Sequence, residues 1–308
     1  MKTIWKEEGK METYVCEIER LGIHDGPGIR TVVFLKGCPL RCIWCSNPET
    51  QLSADQIYYN EKKCIKCRRC VKASENNSVK FDDEWKFFPE KCSDVNKIIQ
   101  SCPAGALKNT SEKMSADEVF DEVMKDYSYY RNSNGGLTVS GGEVLMNSDF
   151  AYELIRKVKE EYISTAIETS GFGDYSALEK VAEVTDYILF DIKHMDENIH
   201  KEVTGVSNKI ILENLRKLSK WHKNIIIRIP LLKGLNDTED NISKTIKFVK
   251  EMKLNEIHIL PYHTLGLEKY RQLKMDYKGN DYEKHSPEDL EKVREIIEAN
   301  GLKCKING

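Results

Sequence analysis

Short apolar runs alternate with amphipathic helical runs along most of the chain. Six runs, rich in Val, Ile, Leu and Thr, have the length and composition of buried β-strands. They are residues 31–35, 137–140, 165–169, 187–191, 225–229 and 257–260. Apolar residues at helical spacing predict helices between and after them, at residues 149–162, 176–184, 208–220, 238–253 and 287–300. A further helix is predicted after Ser115 and Glu118, which have the spacing of a capping box.

The order of these elements predicts the fold class. Strands separated by helices pair in parallel through right-handed crossovers. We therefore expect an α/β fold, in the form of a partial (β/α)6 barrel of the TIM type, with a doubly wound sheet as the alternative. A cysteine-rich stretch, residues 53–107, interrupts the pattern and predicts a small insertion. The barrel would then comprise residues 15–52 and 108–308.

Composition excludes several functions. The chain has 308 residues, of which 31% are charged, and a formal net charge of −3. A protein that binds nucleic-acid backbones normally carries a concentrated basic excess, so nucleic acid is not an expected partner. Residues 1–10 are charged, unlike a signal peptide, and no apolar stretch reaches the length of a membrane span. We therefore expect a cytoplasmic protein without a membrane partner.

The most specific chemical signal is a C-x3-C-x2-C run directly after the first barrel strand. It consists of Cys38, Cys42 and Cys45. Three thiolates at this spacing can bind three irons of a cubane cluster, and the fourth iron stays open to bind another ligand. The alternative is three buried structural cysteines. The run is typical of radical S-adenosylmethionine (SAM) enzymes.

Polar residues at the ends of four predicted strands could form a site with this loop. They are residues 140–143 (Ser-Gly-Gly-Glu), 168–169 (Glu-Thr), 191–193 (Asp-Ile-Lys) and His263. The carboxyl ends of parallel strands lie at one edge of the sheet, where α/β enzymes place their chemistry. Each group also has a structural interpretation, namely a tight turn, a hydrated ion-pair network or a structural histidine. Their coincidence above one cysteine loop favours a site.

Several motifs together resemble the glycyl radical enzyme activating enzymes, a radical SAM family with pyruvate formate-lyase activase-like members. The resemblance runs from residue 23 to about residue 270. The motifs are residues 25–30 (Asp-Gly-Pro-Gly-Ile-Arg), 38–49, 134–136 (Asn-Gly-Gly), 140–143, 168–171 (Glu-Thr-Ser-Gly), 191–194 (Asp-Ile-Lys-His) and 260–266 (Leu-Pro-Tyr-His-Thr-Leu-Gly). One departure is Val144, where members of the family usually have proline.

The resemblance implies a role for each matching residue. Cys38, Cys42 and Cys45 would ligate a [4Fe–4S] cluster that binds SAM. Trp44 would lie near the adenine through its backbone, and Gly141, Gly142 and Glu143 would contact the methionyl amino group. Lys193 and His263 would contact SAM from the other side, and Glu168, Asp191 and Ile192 would complete the SAM-binding set. Glu168, Thr169 and Asp191 match a monovalent-cation site, and Asp25 and Lys193 are the expected catalytic residues, with Asp25 facing the glycine loop of the partner.

The implied activity is the activation of a glycyl radical enzyme. Reductive cleavage of SAM would give a 5′-deoxyadenosyl radical that abstracts hydrogen from a backbone glycine of a partner decarboxylase, dehydratase or lyase. Reduced flavodoxin or ferredoxin would supply the electron. The alternatives are a radical SAM enzyme acting on another peptide or on a small molecule, and a non-catalytic iron–sulfur electron carrier.

The insertion has the cysteine spacing of a two-cluster ferredoxin in only one of its two sites. In such proteins the fourth cysteine of each run ligates the cluster of the other run. One site has all its cysteines, which are Cys64, Cys67, Cys70 and Cys102. The second would need Ser74, Val95 and Ile98 to be cysteines and retains only Cys92. We therefore predict one auxiliary [4Fe–4S] cluster, with a four-thiolate zinc site as the alternative.

Overall fold

The computed structural model describes residues 11–306. The strands are β1 (Glu12–Gly22), β2 (Arg30–Leu35), β3 (Ile57–Tyr59), β4 (Val79–Phe81), β5 (Trp85–Phe87), β6 (Leu107–Asn109), β7 (Glu112–Ser115), β8 (Gly136–Gly141), β9 (Ser164–Thr169), β10 (Tyr187–Asp191), β11 (Ile225–Leu231), β12 (Glu256–Pro261) and β13 (Lys303–Ile306). The helices are α1 (Arg69–Ala73), α2 (Val95–Gln100), α3 (Ala116–Met124), α4 (Tyr127–Ser133), α5 (Ser148–Glu160), α6 (Tyr175–Ala182), α7 (Glu197–Thr204), α8 (Lys209–Leu218), α9 (Glu239–Glu251), α10 (Leu267–Leu273) and α11 (Pro287–Ala299).

No helix within residues 11–306 is both long enough and apolar enough to cross a bilayer. The charged segment at residues 1–10, on which the location of the protein was predicted, lies outside the described residues.

One nine-stranded sheet forms the main body, in the order β13-β12-β11-β10-β9-β8-β2-β1-β7. The six predicted strands correspond to β2 and β8 to β12, and each is parallel to the next one along the chain. This single direction of winding is that of a TIM-type barrel, whereas a doubly wound sheet reverses its strand order at a switch point. Because β7 and β13 are the two edges of the sheet, the barrel is partial, as predicted.

The sequence patterns did not predict β1 and β7, two antiparallel strands beside β2, or β13 at the opposite edge. In β1 only Val15 and Gly22 are buried, because the strand lies near the edge of the sheet. Its sequence therefore lacks the apolar character of a central strand. The predicted capping box does form, since the Ser115 hydroxyl accepts a hydrogen bond from Glu118 N–H and the Glu118 carboxylate accepts one from Ser115 N–H.

Alternation along each strand separates the core from the barrel interior. In β10, Ile188 and Phe190 pack in the main hydrophobic core with helix residues such as Leu154 and Leu178. Because side chains of a strand alternate between the two faces, Asp191 points to the interior instead. Burial of each large aliphatic side chain contributes roughly 1.5–3 kcal/mol, so the helix layer fixes the strands that carry the polar interior groups.

Residues between β2 and β7 form a small unit with its own core. It contains the antiparallel pairs β3–β6 and β4–β5. Tyr59 stacks on Trp85 in this core, with ring centroids 4.7 Å apart. Val95 and Ile98 of α2, which occupy cysteine positions of two-cluster ferredoxins, are buried in the same core. Apolar packing thus occupies two of the positions at which a second ferredoxin site would need cysteines.

Candidate active site

The three cysteines of the C-x3-C-x2-C run lie on a loop that directly follows β2. Backbone hydrogen bonds fix this loop from two sides. Cys38 N–H donates to Gln51 O at 3.1 Å, and Arg41 N–H donates to Thr204 O, at the end of α7, at 2.7 Å. Contacts with the surrounding fold therefore help to set the loop conformation, together with a hydrogen bond from Cys45 N–H to Cys42 O at 3.1 Å.

The chemistry of the three thiols fits a metal cluster. Burial raises the pKa of the Cys38 and Cys42 thiols to about 12, because an apolar environment disfavours a thiolate. Burial also raises the pKa of Cys45, although hydrogen bonds from the Gln51 side chain and the Asn47 backbone oppose this effect. Such thiols lose their protons when a metal binds them. The three thiols remain protonated when no metal is bound and can lose their protons to one. They are therefore suitable ligands for an iron–sulfur cluster.

A cavity of about 240 Å³ lies above this loop, at the carboxyl ends of the barrel strands. Most of the predicted site residues line it, namely Cys38, Cys42, Trp44, Cys45, Gly141, Gly142, Glu168, Thr169, Asp191, Lys193 and His263. The structure thus brings together groups that are up to 225 residues apart in the sequence. Glu143, Ile192 and Asp25 are not part of the cavity wall.

Gly141 and Gly142 allow the end of β8 to approach the cysteine loop. A Cβ atom on Gly141, where φ is +113°, would lie 2.2 Å from Leu35 N, and one on Gly142 would lie 2.1 Å from Gly37 O. The Gly142 and Glu143 N–H groups donate to Leu35 O and Gly37 O at 2.9 and 2.8 Å. Any side chain at either glycine would therefore separate the two strand ends that form the cavity wall.

The Glu143 side chain points away from the cavity and is 1% exposed. Its carboxylate accepts hydrogen bonds from Ser170 N–H at 2.9 Å, from the Ser170 and Thr169 hydroxyls, and from Leu145 N–H. Both carboxylate oxygens are thus occupied by protein donors. In this arrangement Glu143 orients Thr169 and Ser170, which line the cavity, and its own carboxylate is not part of the cavity wall.

Ile192 and Trp44 contribute apolar surface. Ile192 belongs to the main hydrophobic core. The Trp44 indole packs with Val203, Leu232 and Tyr262 beneath the cavity. Next to them His263 faces the cavity, and burial lowers the pKa of its imidazole, so that the neutral form is favoured near pH 7.

Four charged side chains form a buried network across three strand ends. The Arg228 guanidinium of β11 pairs with the Glu168 carboxylate and lies 3.0 Å, through Nε, from Asp191 Oδ1. Lys193 Nζ lies 2.9 Å from Asp191 Oδ2. Burial raises the pKa of Asp191, but the Lys193 and Arg228 charges outweigh this and hold it below its usual value. Two cations thus compensate two carboxylates without any added ion.

Arg228 was missed in the sequence because it lies inside a predicted strand. The available signal was a single charged residue within an otherwise apolar run, residues 225–229. Such a residue in a barrel strand must point to the interior, where it needs a carboxylate partner. Its position between Glu168 and Asp191 coincides with two of the residues that were matched to a monovalent-cation site.

Asp25 lies beside Glu168 on the turn between β1 and β2. Burial and the Glu168 charge raise the pKa of the Asp25 carboxyl to about 7, against an opposing effect of Arg228. The backbone of the turn is held in place, since the Thr138 hydroxyl donates to Asp25 O at 2.7 Å and Arg30, which is fully buried, donates to Pro27 O at 2.9 Å. The turn therefore presents Asp25 to the barrel interior next to the cavity.

Comparisons with known proteins decide the family. Residues 32–249 match the Radical SAM superfamily. The trans-4-hydroxy-L-proline dehydratase activating enzyme of Clostridioides difficile is 37% identical, over 97% of this chain and 100% of its own length. The choline trimethylamine-lyase activating enzyme of Oleidesulfovibrio alaskensis is 38% identical, over 92% of this chain and 94% of its own. The chain belongs to the glycyl radical enzyme activating enzymes.

Other comparisons agree with this activating enzyme fold. The 4-hydroxyphenylacetate decarboxylase activating enzyme of Clostridioides difficile is 36% identical over 96% of both chains. A crystal structure of a radical SAM methyltransferase from Sphaerobacter thermophilus has a TM-score of 0.53 at 11% identity, covering 96% of this chain and 77% of that one. The second comparison supports the fold alone.

Val144, the departure from the motif of the activating enzymes, is fully buried, and the turn keeps its backbone hydrogen bonds.

The insertion of this activating enzyme brings four further cysteines together. Cys64, Cys67, Cys70 and Cys102 surround a second cavity, which Tyr59 and Trp85 also line. Backbone N–H groups point at the sulfur atoms, from Lys66 to Cys64 Sγ at 3.4 Å and from Ala106 to Cys102 Sγ at 3.3 Å. Trp85 Nε1 is buried without a conventional acceptor in the described residues and lies beside Cys70. Donors directed at sulfur suit thiolates that ligate a metal cluster.

The remaining positions of a two-cluster ferredoxin do not form a second thiolate set. The Ser74 hydroxyl donates to Val71 O at 2.8 Å, within its own helix end. Cys92 packs against the insertion core beside the apolar Val95 and Ile98. Within residues 11–306, no group of three His, Cys, Asp or Glu side chains has the arrangement of a single-ion metal site.

Proposed function

We propose that this radical SAM enzyme installs a radical on a backbone glycine of a partner enzyme. The observation that carries the proposal is the convergence of three cysteines and four charged residues on one cavity, with the Asp25 turn at its side. The charged residues are Glu168, Asp191, Lys193 and Arg228. The relatives named above are activating enzymes of a dehydratase, a lyase and a decarboxylase. Their identities to this chain lie between 36% and 38%, which favours none of these partner types over the others.

We infer that Cys38, Cys42 and Cys45 hold the [4Fe–4S] cluster of the radical SAM reaction. With SAM bound, that cluster supplies one-electron reductive cleavage of a carbon–sulfur bond, which generates the 5′-deoxyadenosyl radical. The surrounding chain contributes binding, orientation and the exclusion of water. The three thiols are half-buried below the strand-end cavity, and Gly141 and Gly142 close one of its walls. These features support the roles proposed for the cluster and for the surrounding chain.

The charged groups of the cavity are suited to bind the polar parts of SAM. Lys193 offers a positive charge to the methionyl carboxylate, and its salt bridge to Asp191 fixes the direction of its side chain. Because Glu143 is saturated with hydrogen bonds, we propose that it positions Thr169 and Ser170, and that backbone groups near Gly141 and Gly142 meet the amino group. Trp44 and His263 also line the cavity, which supports the predicted contacts of the Trp44 backbone with the adenine and of His263 with SAM.

We propose that Asp25 orients the glycine loop of the partner. Its turn is anchored through Arg30 and Thr138, and its half-buried carboxyl lies beside Glu168 of the charged network. A preorganised polar group beside the cavity can fix an incoming backbone by hydrogen bonding without first losing its own conformational freedom. A monovalent cation at Glu168, Thr169 and Asp191 is what the resemblance implies. The alternative is that Arg228 supplies the positive charge there and no cation is needed.

We further propose one auxiliary [4Fe–4S] cluster on Cys64, Cys67, Cys70 and Cys102, and a small electron-transfer protein of the flavodoxin or ferredoxin type as electron donor. The four inward-facing cysteines and the N–H groups directed at their sulfurs support the cluster. All four ligands are protein thiolates, so this site has no open iron for substrate. Electron delivery or support of the insertion is the role that such a site can have. A cytoplasmic location would suit both cofactors.

SAM cleavage by the anaerobically reconstituted protein tests the proposal. With dithionite as reductant, we expect 5′-deoxyadenosine from the wild type and none from the Cys42→Ala variant. A Cys304→Ala variant, which changes a cysteine far from the cavity, is the matched control. Cleavage that survives in Cys42→Ala would exclude the proposed cluster site.

The identity of the target needs a second measurement. Incubation with a glycyl radical enzyme, chosen from the neighbouring genes, should give the EPR doublet of a glycyl radical. SAM cleavage without any doublet on such partners would indicate a radical SAM enzyme acting on another peptide or a small molecule. Clusters that undergo reduction without any spectral response to SAM would indicate a simple electron carrier.

A further inference from the structure

The auxiliary cysteine site lies within a strongly basic surface, although the chain as a whole is slightly acidic. Residues 61–72 contain six basic side chains and one acidic side chain, against a net charge of −3 for all 308 residues. All six basic residues are exposed. We call them the basic collar; they are Lys62, Lys63, Lys66, Arg68, Arg69 and Lys72. The one acidic residue, Glu61, already pairs with Lys274 at 2.9 Å.

The protein itself compensates only part of the charge of the collar. In residues 11–306 none of its six side chains takes part in an ion pair, although the Lys62 charge helps to lower the pKa of Glu268 and the Lys66 charge helps to lower that of Glu61. Elsewhere on the surface, ion pairs form between neighbouring residues. Exposed like charges at short spacing destabilise a small unit slightly. A cluster bound by four thiolates would carry a small negative charge, which offsets only part of the collar. The remaining positive charge is available to an external anion.

The collar surrounds the most accessible point of the auxiliary site. Cys67 is exposed, whereas Cys64, Cys70 and Cys102 are half-buried. Lys66 and Arg68, on either side of Cys67, have φ values of +55° and +59°, an unfavourable conformation for residues other than glycine. Next to them Ile65 is 65% exposed. An accessible ligand, an apolar centre and a charged rim are the features of small transient interfaces such as those of electron carriers.

The main cavity cannot receive both macromolecular partners of this enzyme. If the proposed function is correct, the glycine loop of the partner enzyme must reach the cavity beside Asp25 and His263. A donor protein must therefore deliver its electron from another face while that partner is bound. The insertion offers such a face, because its cysteines lie in a separate cavity with different lining residues.

Helix α10 connects the two cysteine sites. At its end Lys274 pairs with Glu61 and lies 5.5 Å above the Tyr59 ring of the insertion. Its Tyr270 is nearly fully buried and lies close to Cys42 and Cys45 of the main loop. Two side chains of the same short helix, Tyr270 and Lys274, thus lie close to the main loop and to the insertion, respectively.

We propose that the basic collar is the docking surface for a small acidic one-electron carrier protein, which reduces the enzyme through the auxiliary site. The proposal rests on the proposed function. In the transfer one electron leaves the reduced carrier and enters the auxiliary cluster, so the carrier is oxidised as the cluster is reduced, and no bond or proton changes place. Positive charge around the entry point steers an acidic carrier to it and accelerates the encounter.

Binding of acidic carriers to collar variants tests this inference. The full chain is reconstituted anaerobically, and its affinity for an acidic flavodoxin and for an acidic [2Fe–2S] ferredoxin is measured over a series of salt concentrations. A variant with Lys63, Arg69 and Lys72 changed to Glu should bind at least one of them about tenfold more weakly or worse, with a smaller salt dependence. The variant with Gln at the same positions should show an intermediate loss of affinity. It serves as a second test in case the variant with Glu misfolds.

The matched control reverses three exposed lysines outside the insertion. It changes Lys220, Lys223 and Lys247 to Glu, which gives the same net charge. We expect its affinity for the carriers to stay within about twofold of the wild type, since screened charges at a distance contribute little. Equal losses in collar and control variants would overturn the docking site, as would unchanged binding by both collar variants. Wild-type binding to phosphatidylserine vesicles but to neither carrier would also overturn it.

Dithionite separates this inference from the proposed function. Because it reduces the enzyme without a protein interface, a collar variant should still cleave SAM with dithionite while its flavodoxin-driven rate falls with its affinity. Lack of SAM cleavage in the wild type would contradict the proposed function, but carrier binding would still decide the docking site.

Discussion

The Arg228 guanidinium donates a hydrogen bond to Asp191 at 3.0 Å and pairs at the same time with Glu168. These carboxylates end neighbouring strands, β9 and β10, and both were matched to an alkali-cation site. The chain thus already provides a positive charge between them. With Lys193 on the other side of Asp191, the two carboxylates have two cationic partners, so a further cation is not required for charge balance.

This arrangement predicts that the enzyme does not depend on alkali cations. Replacing K⁺ by choline in the buffer should leave the affinity for SAM and the midpoint of thermal unfolding of the wild type unchanged. Arg228→Met should lower the free energy of unfolding by about 3 kcal/mol, since it leaves buried carboxylates unpaired. That variant should then regain stability as K⁺ is added.

Arg228→Lys is the control, because it retains a positive charge and should respond less to K⁺ than Arg228→Met. The midpoint of thermal unfolding of both variants, measured over a series of K⁺ concentrations, tests this difference. A wild-type protein whose SAM affinity falls when K⁺ is removed would show that an alkali cation binds beside Arg228.

A second salt bridge predicts how firmly the cysteine loop is held. Lys269 Nζ of α10 lies 2.5 Å from Glu49 Oε1 and donates to Asn47 Oδ1 at 3.0 Å, just after the C-x3-C-x2-C run. Glu49 is 3% exposed, so Lys269→Met would leave its carboxylate buried with less compensation. We expect a loss of about 2 kcal/mol in unfolding free energy and faster loss of the main cluster.

Arg271→Met, on the exposed side of the same helix, is the matched control for this change. Its ion pair with Glu268 is exposed, so the effect on stability should stay below about 0.5 kcal/mol. Denaturant unfolding and the rate of iron release to a chelator are the measurements. If both variants released iron at the wild-type rate, α10 would not hold the loop.

Titration of Asp25 predicts a pH dependence of stability. Burial raises the pKa of its carboxyl from 3.8 to about 7, so the folded protein retains a proton that the unfolded chain has lost. Stability therefore decreases as the pH rises toward that value, by about 1 kcal/mol between pH 6 and pH 8. Asp25→Asn should flatten this profile and be more stable than the wild type at pH 8, while radical transfer to the partner should be impaired.

Asp83→Asn, on an exposed turn of the insertion, serves as the control for that profile. It should leave the slope of stability against pH the same as in the wild type. Unfolding midpoints measured at several pH values test both variants. A slope that persists in Asp25→Asn would assign the titration to another group.

The hydrophobic pattern alone was sufficient to predict the six barrel strands, because buried parallel strands are continuously apolar. It also predicted five of the eleven helices in residues 11–306, and the capping box predicted a sixth. Strands at or near the edges, such as β7 and β1, were missed since they bury few side chains, and their position depends on the sheet that forms beside them. Eleven of the residues predicted from the cysteine spacing and the strand-end motifs line the cavity, whereas other residues of its wall, such as Phe34, Arg228 and Leu232, were not predicted. The direction of the Glu143 side chain and the partnership of Arg228 depend on tertiary packing across strands, which a pattern along one strand does not contain.

The number of iron–sulfur clusters in the protein depends on the four cysteines of the insertion. Cys102→Ser should lose the auxiliary cluster and retain the main one, because Cys102 faces the same cavity as Cys64, Cys67 and Cys70. Cys92→Ser is the matched control and should retain both clusters, since Cys92 packs beside Val95 and Ile98 in place of a second thiolate set. Iron, zinc and acid-labile sulfide analysis with EPR of the reduced proteins measures this. Zinc without sulfide in place of the second cluster would favour a structural zinc site, and a cluster lost in Cys92→Ser would make that residue a ligand.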